Sequence, residues 1–147
     1  MLPLTPRARD VMDLARREAA ELRHDHVGTE HVLLGILREG GGISTRLTGR
    51  LGAKVEPIRK GIAMLNPVSA NVGVGEAQLP FSERLRKAMR AAEETARRLG
   101  HDGVGIGHLF LGLLEDEQGK GALFLINLGQ DLGVLRKEML DALSARS

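Results

Sequence analysis

The stretch Gly28-Thr29-Glu30-His31-Val32-Leu33-Leu34-Gly35-Ile36-Leu37 returns at a fixed offset of 77 residues as Gly105-Ile106-Gly107-His108-Leu109-Phe110-Leu111-Gly112-Leu113-Leu114. Such self-similarity restricts the chain to copies of one unit, because a small unit alone leaves its apolar face open and needs its neighbour to cover it. Within each copy the residues after the His are apolar nearly all round. A helix of that kind is buried on most sides, so the stretch is expected to be the central strut of its unit. Gly35 costs about 1 kcal/mol relative to Ala inside a helix, a cost consistent with close approach of a neighbouring helix. The polar pair Thr29-Glu30 was not copied: Ile106 and Gly107 stand in its place.

The same offset organises the rest of the chain. Thr5-Pro6 is a helix start, with a hydroxyl for the N-cap and a proline at the first helical position. Ala8, Met12, Ala15, Ala19 and Leu22 then follow in steps of 4 and 3, the stripe of an amphipathic helix. Ser82 replaces Thr5 as cap, and Leu85, Met89, Ala92, Ala96 and Leu99 repeat the stripe. Thr29 is the cap candidate for the strut, with Glu30 in its first turn. Ile43 to Leu51 reads as a third helix, and a fourth opens near Pro57 and runs to about Leu65. Gly119 to Gly129 and Leu132 to Leu143 are their counterparts. Asn66 to Pro80 has no helical period and is punctuated by Gly and Pro, which marks a linker. The expectation is one all-α domain over 1–147, made of two tandem, pseudo-twofold-related repeats of about four helices each. Repeat one covers 4–65, the linker 66–80 and repeat two 81–144.

Several function classes are excluded or disfavoured. At 147 residues the chain buries roughly 68–70% of its unfolded surface, enough for a core. There is no Cys, hence no disulfide, thiol nucleophile or thiolate metal site. A net charge of +2 and three Phe with no Trp or Tyr argue against nucleic acid, whose single strands are stacked on aromatic faces. Arg84, Arg86, Lys87, Arg90, Arg97 and Arg98 make one basic helix face, and a basic nucleic-acid binder is the remote alternative. Glu83–Lys87, Glu93–Arg97 and Glu94–Arg98 at i,i+4 favour a self-paired, solvated face instead. No apolar run reaches membrane-spanning length, and the N-terminus lacks a secretory layout, so the cytoplasm is expected. His24, His31, His101 and His108 recur in pairs at the offset, which favours a packing or loop-fixing role. His24-x-His26 has no further ligands at metal spacing. No metal, no cofactor and no catalytic set is expected; Phe110 and Phe124 read as core.

A unit with this helix start, G-T-E-H-x-L-L-G-I-L and a closing L-x-x-L-G, present twice, resembles the Clp N-terminal repeat domain that caps the ClpA and ClpC class of AAA+ unfoldases. The likeness runs over about residues 4–143 and leans to the ClpC branch. It implies an all-α, non-catalytic module that docks protein substrates and adaptor proteins for an ATPase ring, supplied in cis or in trans, and an isolated domain that is monomeric. No G-x-x-x-x-G-K-[ST] loop occurs in this sequence. The alternative is a free-standing protein of the same kind that competes for adaptors or sequesters a cyclic-peptide antibiotic. The ClpC-type pattern also implies a pocket for phosphoarginine. Carried over residue by residue it assigns Thr5, Thr29 and Glu30, with Glu30 accepting the guanidinium and helix N-termini receiving the phosphate. Thr29 reads first as a cap, whereas for Glu30 both a cap and a ligand role stand. Ser82 marks a weaker second site, whose carboxylate is missing. Glu30→Ala is therefore expected to leave folding nearly intact. The adaptor or peptide surface is expected at Leu2, Leu4, Arg9, Phe81, Glu83 and Arg86, with Leu4 also read as a staple for the first helix.

Overall fold

In a computed structural model, residues 2–39, 51, 55–65 and 79–144 are described. Seven helices lie among them: α1 (Pro6–Glu21), α2 (Thr29–Glu39), α3 (Val55–Leu65), α4 (Glu83–Arg98), α5 (Ile106–Glu115), α6 (Lys120–Asn127) and α7 (Leu132–Ser144). The third helix expected over Ile43–Leu51 lies outside the described residues except for Leu51, and so does the linker except for its last two residues.

The caps act as their sequence implies. Thr5 Oγ1 accepts from the Ala8 N–H at 3.2 Å, and Ser82 Oγ accepts from the Leu85 N–H at 3.1 Å. Both first helices end alike. The His24 N–H reaches the Ala19 carbonyl and the His101 N–H that of Ala96, each at 2.9 Å. Such a wrap-around stop needs a left-handed residue after the cap. Gly100 supplies it in α4's turn with φ 72°, while α1's turn forces Arg23 to φ 61°.

Each strut is buried along its whole apolar length, Val32 to Leu37 in α2 and Ile106 to Leu114 in α5. α2 packs on α1 and α3 of its own repeat and on α5 and α6 of the other. The glycines in the struts have one cause. A Cβ on Gly35 would stand 2.5 Å from the Val11 carbonyl oxygen, and one on Gly112 would collide with the Ala88 carbonyl. Val11 and Ala88 are themselves 77 residues apart, so both units cross helix on helix at the same point.

The repeats are joined by a reciprocal exchange. Just before α1, Thr5 N–H donates to the Val104 carbonyl (2.9 Å) and Val104 N–H to the Pro3 carbonyl (2.8 Å). Just before α4, Ser82 N–H donates to the Val27 carbonyl (2.9 Å) and Val27 N–H to that of Pro80 (2.8 Å). The parallel bridges Leu4–Val104 and Val27–Phe81 are therefore the same contact with the repeats interchanged, the pseudo-twofold expected of a duplicated unit. Phe110 is fully buried, but Phe124 is only partly so. Its ring lies against Gly61 of α3, where a Cβ would come within 2.6 Å of it.

Candidate functional site

The paired histidines fix the loops that open the struts. The Gly28 N–H donates to His31 Nδ1 at 2.9 Å, so that nitrogen carries no proton and Nε2 does. His31 Nε2–H then points at His24 Nδ1, 2.8 Å away. Repeat two has the same chain: Gly105 N–H to His108 Nδ1 at 2.8 Å, and His108 Nε2 to His101 Nδ1 at 2.9 Å. The His at the third position of each strut does the work of the glutamate in a capping box. Burial, ahead of the opposing effect of Glu30, lowers the His31 pKa to about 4. Both ring nitrogens are spent on the loop, which leaves His31 no lone pair for a metal. Among the described residues no group of three or more His, Asp or Glu is placed to hold one.

Thr29 does not cap its own helix. Gly28 occupies the cap position, its carbonyl accepting from His31 and Val32. The Thr29 hydroxyl reaches across to repeat two, accepting from the Gly121 N–H at 3.1 Å. That N–H belongs to the first turn of α6, where donors lack partners within the helix, and the residue before α6, Gly119, has no side chain to offer. Thr29 thus caps a helix 92 residues away in sequence.

Glu30 is 2% exposed. Its carboxylate folds over Gly28, where a Cβ would collide with it. It sits 4.0 Å from Lys120 Nζ and 3.8 Å from His26 Nε2, beside the first turn of α6, whose dipole favours an anion. His26 also contacts Asp25 Oδ1 at 2.8 Å. The nearby Glu30 carboxylate, ahead of the bond to Asp25, raises the His26 pKa against the effect of burial, and the His26 bond in turn lowers that of Asp25. In repeat two the position of Glu30 is Gly107, and the last helix fills the space: a Cβ there would lie 2.9 Å from Leu143 Cδ2 and 3.1 Å from Met139 Sδ. One repeat closes this corner with charge and the other with an apolar plug.

The structure does not bring Thr5 to Thr29 and Glu30. The exchanged bridges place Thr5 on the loop of repeat two, within 4 Å of positions built on Gly103 and Gly105. Ser82 instead meets the loop before α2, its backbone N–H donating to the Val27 carbonyl at 2.9 Å while its hydroxyl caps α4. The expected adaptor set is likewise divided. Leu2 and Leu4 precede α1, where Leu2 N–H donates to Glu93 Oε1 at 2.6 Å. Phe81 lies under the Arg16 guanidinium at 4.9 Å, ten residues along α1 and roughly 15 Å from its start at 1.5 Å per residue. Arg9 goes with the first group. Glu83 goes with Phe81, and Arg86 pairs with Glu83 at 2.9 Å. Leu2 and Leu4 thus lie before the start of α1 and Phe81 farther along it.

Sequence reasoning passed over a further cluster. Glu18, 6% exposed on α1, accepts from Arg38 Nε at 2.7 Å and Arg59 Nε at 2.8 Å, and that bond raises the Arg59 pKa. The available signal was the offset itself, at which Glu18 becomes Thr95 and Arg38 becomes Glu115.

The profile of the Clp repeat (R) N-terminal domain family matches residues 3–128 and again 80–145. The chain is 36% identical over 144 residues to the chaperone protein ClpB of Oceanobacillus iheyensis, and 37% identical over 144 residues to the negative regulator of genetic competence ClpC/MecB of Bacillus subtilis. Each alignment takes in 96% of this chain and 17% of the relative, so the chain spans under a fifth of their length. Among solved structures it is similar to the N-terminal domain of ClpD from Arabidopsis thaliana, with a TM-score of 0.75 at 24% identity over 95% of this chain and 94% of that one. The Hsp104 N-terminal domain from Candida albicans superposes with a TM-score of 0.79 at 15% identity over 94% and 89%. With its tandem struts, exchanged bridges and doubled profile match, the chain belongs to the Clp repeat N-terminal domain family.

Proposed function

We propose that this domain docks substrate or adaptor proteins for a Clp-type ATPase ring and performs no catalysis itself. The observation that carries this reading is the match of nearly the whole chain to the N-terminal repeat domain of ClpB and ClpC proteins. It agrees with the commitment of the ionisable groups at the strut loops to folding contacts. The test is a chimera in which the chain replaces the N-terminal domain of a ClpC-type unfoldase. Restored adaptor-dependent degradation, relative to the same ring without any N-terminal domain, is expected. A chimera no more active than the truncated ring overturns the proposal.

The finer reading is a single phosphoarginine site in repeat one, because only that repeat keeps a carboxylate. Glu30 would take the guanidinium, and Ser82, whose backbone is bonded to Val27 just before α2, would face the phosphate in place of Thr5. The Thr29 hydroxyl is held by Gly121. Occupation requires Glu30 to release Lys120 and His26, so affinity is expected to be modest. Calorimetry with free phosphoarginine should report one site that Glu30→Gln removes. Two equivalent sites, or an unchanged affinity in Glu30→Gln, would refute it.

A further inference from the structure

Repeat two contains an opening where repeat one contains its own glutamate. A groove of about 310 Å³ runs between α4, α5 and α7, lined by Thr95, Arg98, Leu99, Leu111, Glu115, Arg136 and Leu140. Subtracting the offset of 77 turns these positions into Glu18, Glu21, Leu22, Leu34, Arg59 and Ala63, with Arg38 for Glu115. In repeat one they form a closed cluster. The Glu18 carboxylate is held by two guanidiniums at 2.7 and 2.8 Å, and Glu21 adds a contact to Arg59 at 3.7 Å.

In repeat two one of the two guanidiniums remains, Arg136 for Arg59, while Glu115 replaces Arg38 and the central acceptor is gone. Thr95 is two heavy atoms shorter than a glutamate and ends in a hydroxyl. Among the described residues the contacts of Arg136 are long, 3.4 Å to Glu115 Oε1 and 3.5 Å to the Leu114 carbonyl. Arg98 stands where repeat one has Glu21, and its one described bond is 3.4 Å, to Thr95 Oγ1. Formal charge sharpens the difference. Glu18, Glu21, Arg38 and Arg59 sum to zero, whereas Arg98, Glu115 and Arg136 leave one positive charge. One added carboxylate would restore the balance that repeat one has.

We propose that this groove is a docking site for a glutamate side chain of a partner polypeptide. The carboxylate would lie between Arg136, at the place of Arg59, and Arg98, at the place of Glu21, as Glu18 lies between two guanidiniums in repeat one, and neighbouring apolar residues of the partner would cover Leu99 and Leu140. A guanidinium pairs with a carboxylate by charge-assisted bonds, and the apolar floor lowers the local dielectric and strengthens them. Repeat one supplies the template within the same molecule. The proposal rests on the docking role argued above and adds the chemistry of one partner contact.

The test uses the isotope-labelled full chain in nuclear magnetic resonance titrations. The probe is the acetylated, amidated tripeptide Leu-Glu-Leu, set against its Leu-Gln-Leu twin and against sodium acetate. The Glu peptide should shift the amides of Thr95, Leu99, Leu111 and Leu140 saturably, and bind about tenfold or more tightly than the Gln twin, as losing a charged hydrogen bond implies. Thr95→Glu should fill the groove from within, raise the melting temperature and abolish binding. Arg98→Gln, at an exposed position, should weaken binding about tenfold without unfolding the chain. Equal binding of the two peptides overturns the proposal, as does full binding to a folded Thr95→Glu chain or to Arg98→Gln. Acetate matching the peptide in affinity would show a small-anion site only and overturn the partner reading. Should Thr95→Glu not fold, Arg98→Gln decides. The two readings fail separately: a failed chimera leaves the peptide titration standing, and a failed titration leaves the chimera standing.

Discussion

Acid should weaken this domain through His31 in a way that can be separated from every other titrating group. His31 is fully buried and accepts the Gly28 N–H on Nδ1. A proton on that nitrogen would face a donor and break the loop bond. Its pKa lies at about 4 against an ordinary 6.5, burial outweighing the attraction of Glu30. The folded state therefore refuses a proton that the unfolded chain accepts. Stability from neutral His31 is complete above about pH 6.5, is lost as pH falls from there to about 4, and changes no further below that. The full difference is ~3 kcal/mol at 1.36 kcal/mol per pKa unit, of which about 2.5 kcal/mol should be gone at about pH 4.5. Carboxylates titrate in the same range, so the comparison is made against His31→Gln. A glutamine at this position can accept the Gly28 N–H as in a capping box and does not ionise. Urea unfolding followed by circular dichroism at about pH 7.5 and about pH 4.5 gives the two stabilities. At a slope of about 1–3 kcal/mol per molar, the parent midpoint should fall by roughly 1–2 M more than that of His31→Gln. Equal acid sensitivity in the two proteins would refute the assignment of proton positions in the loop.

Two other substitutions test the backbone and the inter-repeat corner. Arg23→Gly removes a side chain from a left-handed position that repeat two gives to glycine, and should stabilise by about 0.5–1 kcal/mol, or about 2–4 °C in Tm; a lower Tm contradicts the strain. Glu30→Ala, expected from sequence to spare the fold, should instead cost about 2 kcal/mol in urea unfolding. Losing one partner of a buried ion pair costs more than that, but Lys120 and His26 keep some solvent; a change under about 0.5 kcal/mol, the usual range for a surface substitution, would return Glu30 to a surface role.

The parts of this fold that were legible in the sequence are those set by local chemistry or by the offset. Thr5 and Ser82 announced their helices because a hydroxyl before a helical stripe satisfies donors a few residues on. Gly35 implies a tight crossing with a neighbouring helix, and the structure shows one at Gly35 and, at the offset, at Gly112. The histidine pairs were read as loop-fixing because they recurred together, and their hydrogen bonds do that. What stayed hidden lies between the repeats. Thr29 has a local cap explanation, and nothing near it in sequence reveals that its acceptor faces Gly121. The burial of Glu30 is hidden in the same way, because Lys120, which lies beside it, is far along the chain. On the surface, Arg97 pairs with Glu93 as the i,i+4 rule implies, while Glu83 reaches Arg86 and Arg90 rather than Lys87. Long side chains on an exposed face choose among several partners of similar energy.

The exchanged bridges carry a consequence for how such a chain arises. Each repeat's leading segment is hydrogen-bonded only after it meets the loop of the other repeat, so one repeat by itself would hold out a strand edge and an empty loop. A second identical copy would fill both through an isologous contact, the geometry of a twofold dimer. This chain has the geometry of such a dimer with its two halves joined end to end. Once covalent linkage held the halves together at high effective concentration, the halves no longer had to be the same. Glu30 against Gly107, and Glu18 against Thr95, record that freedom.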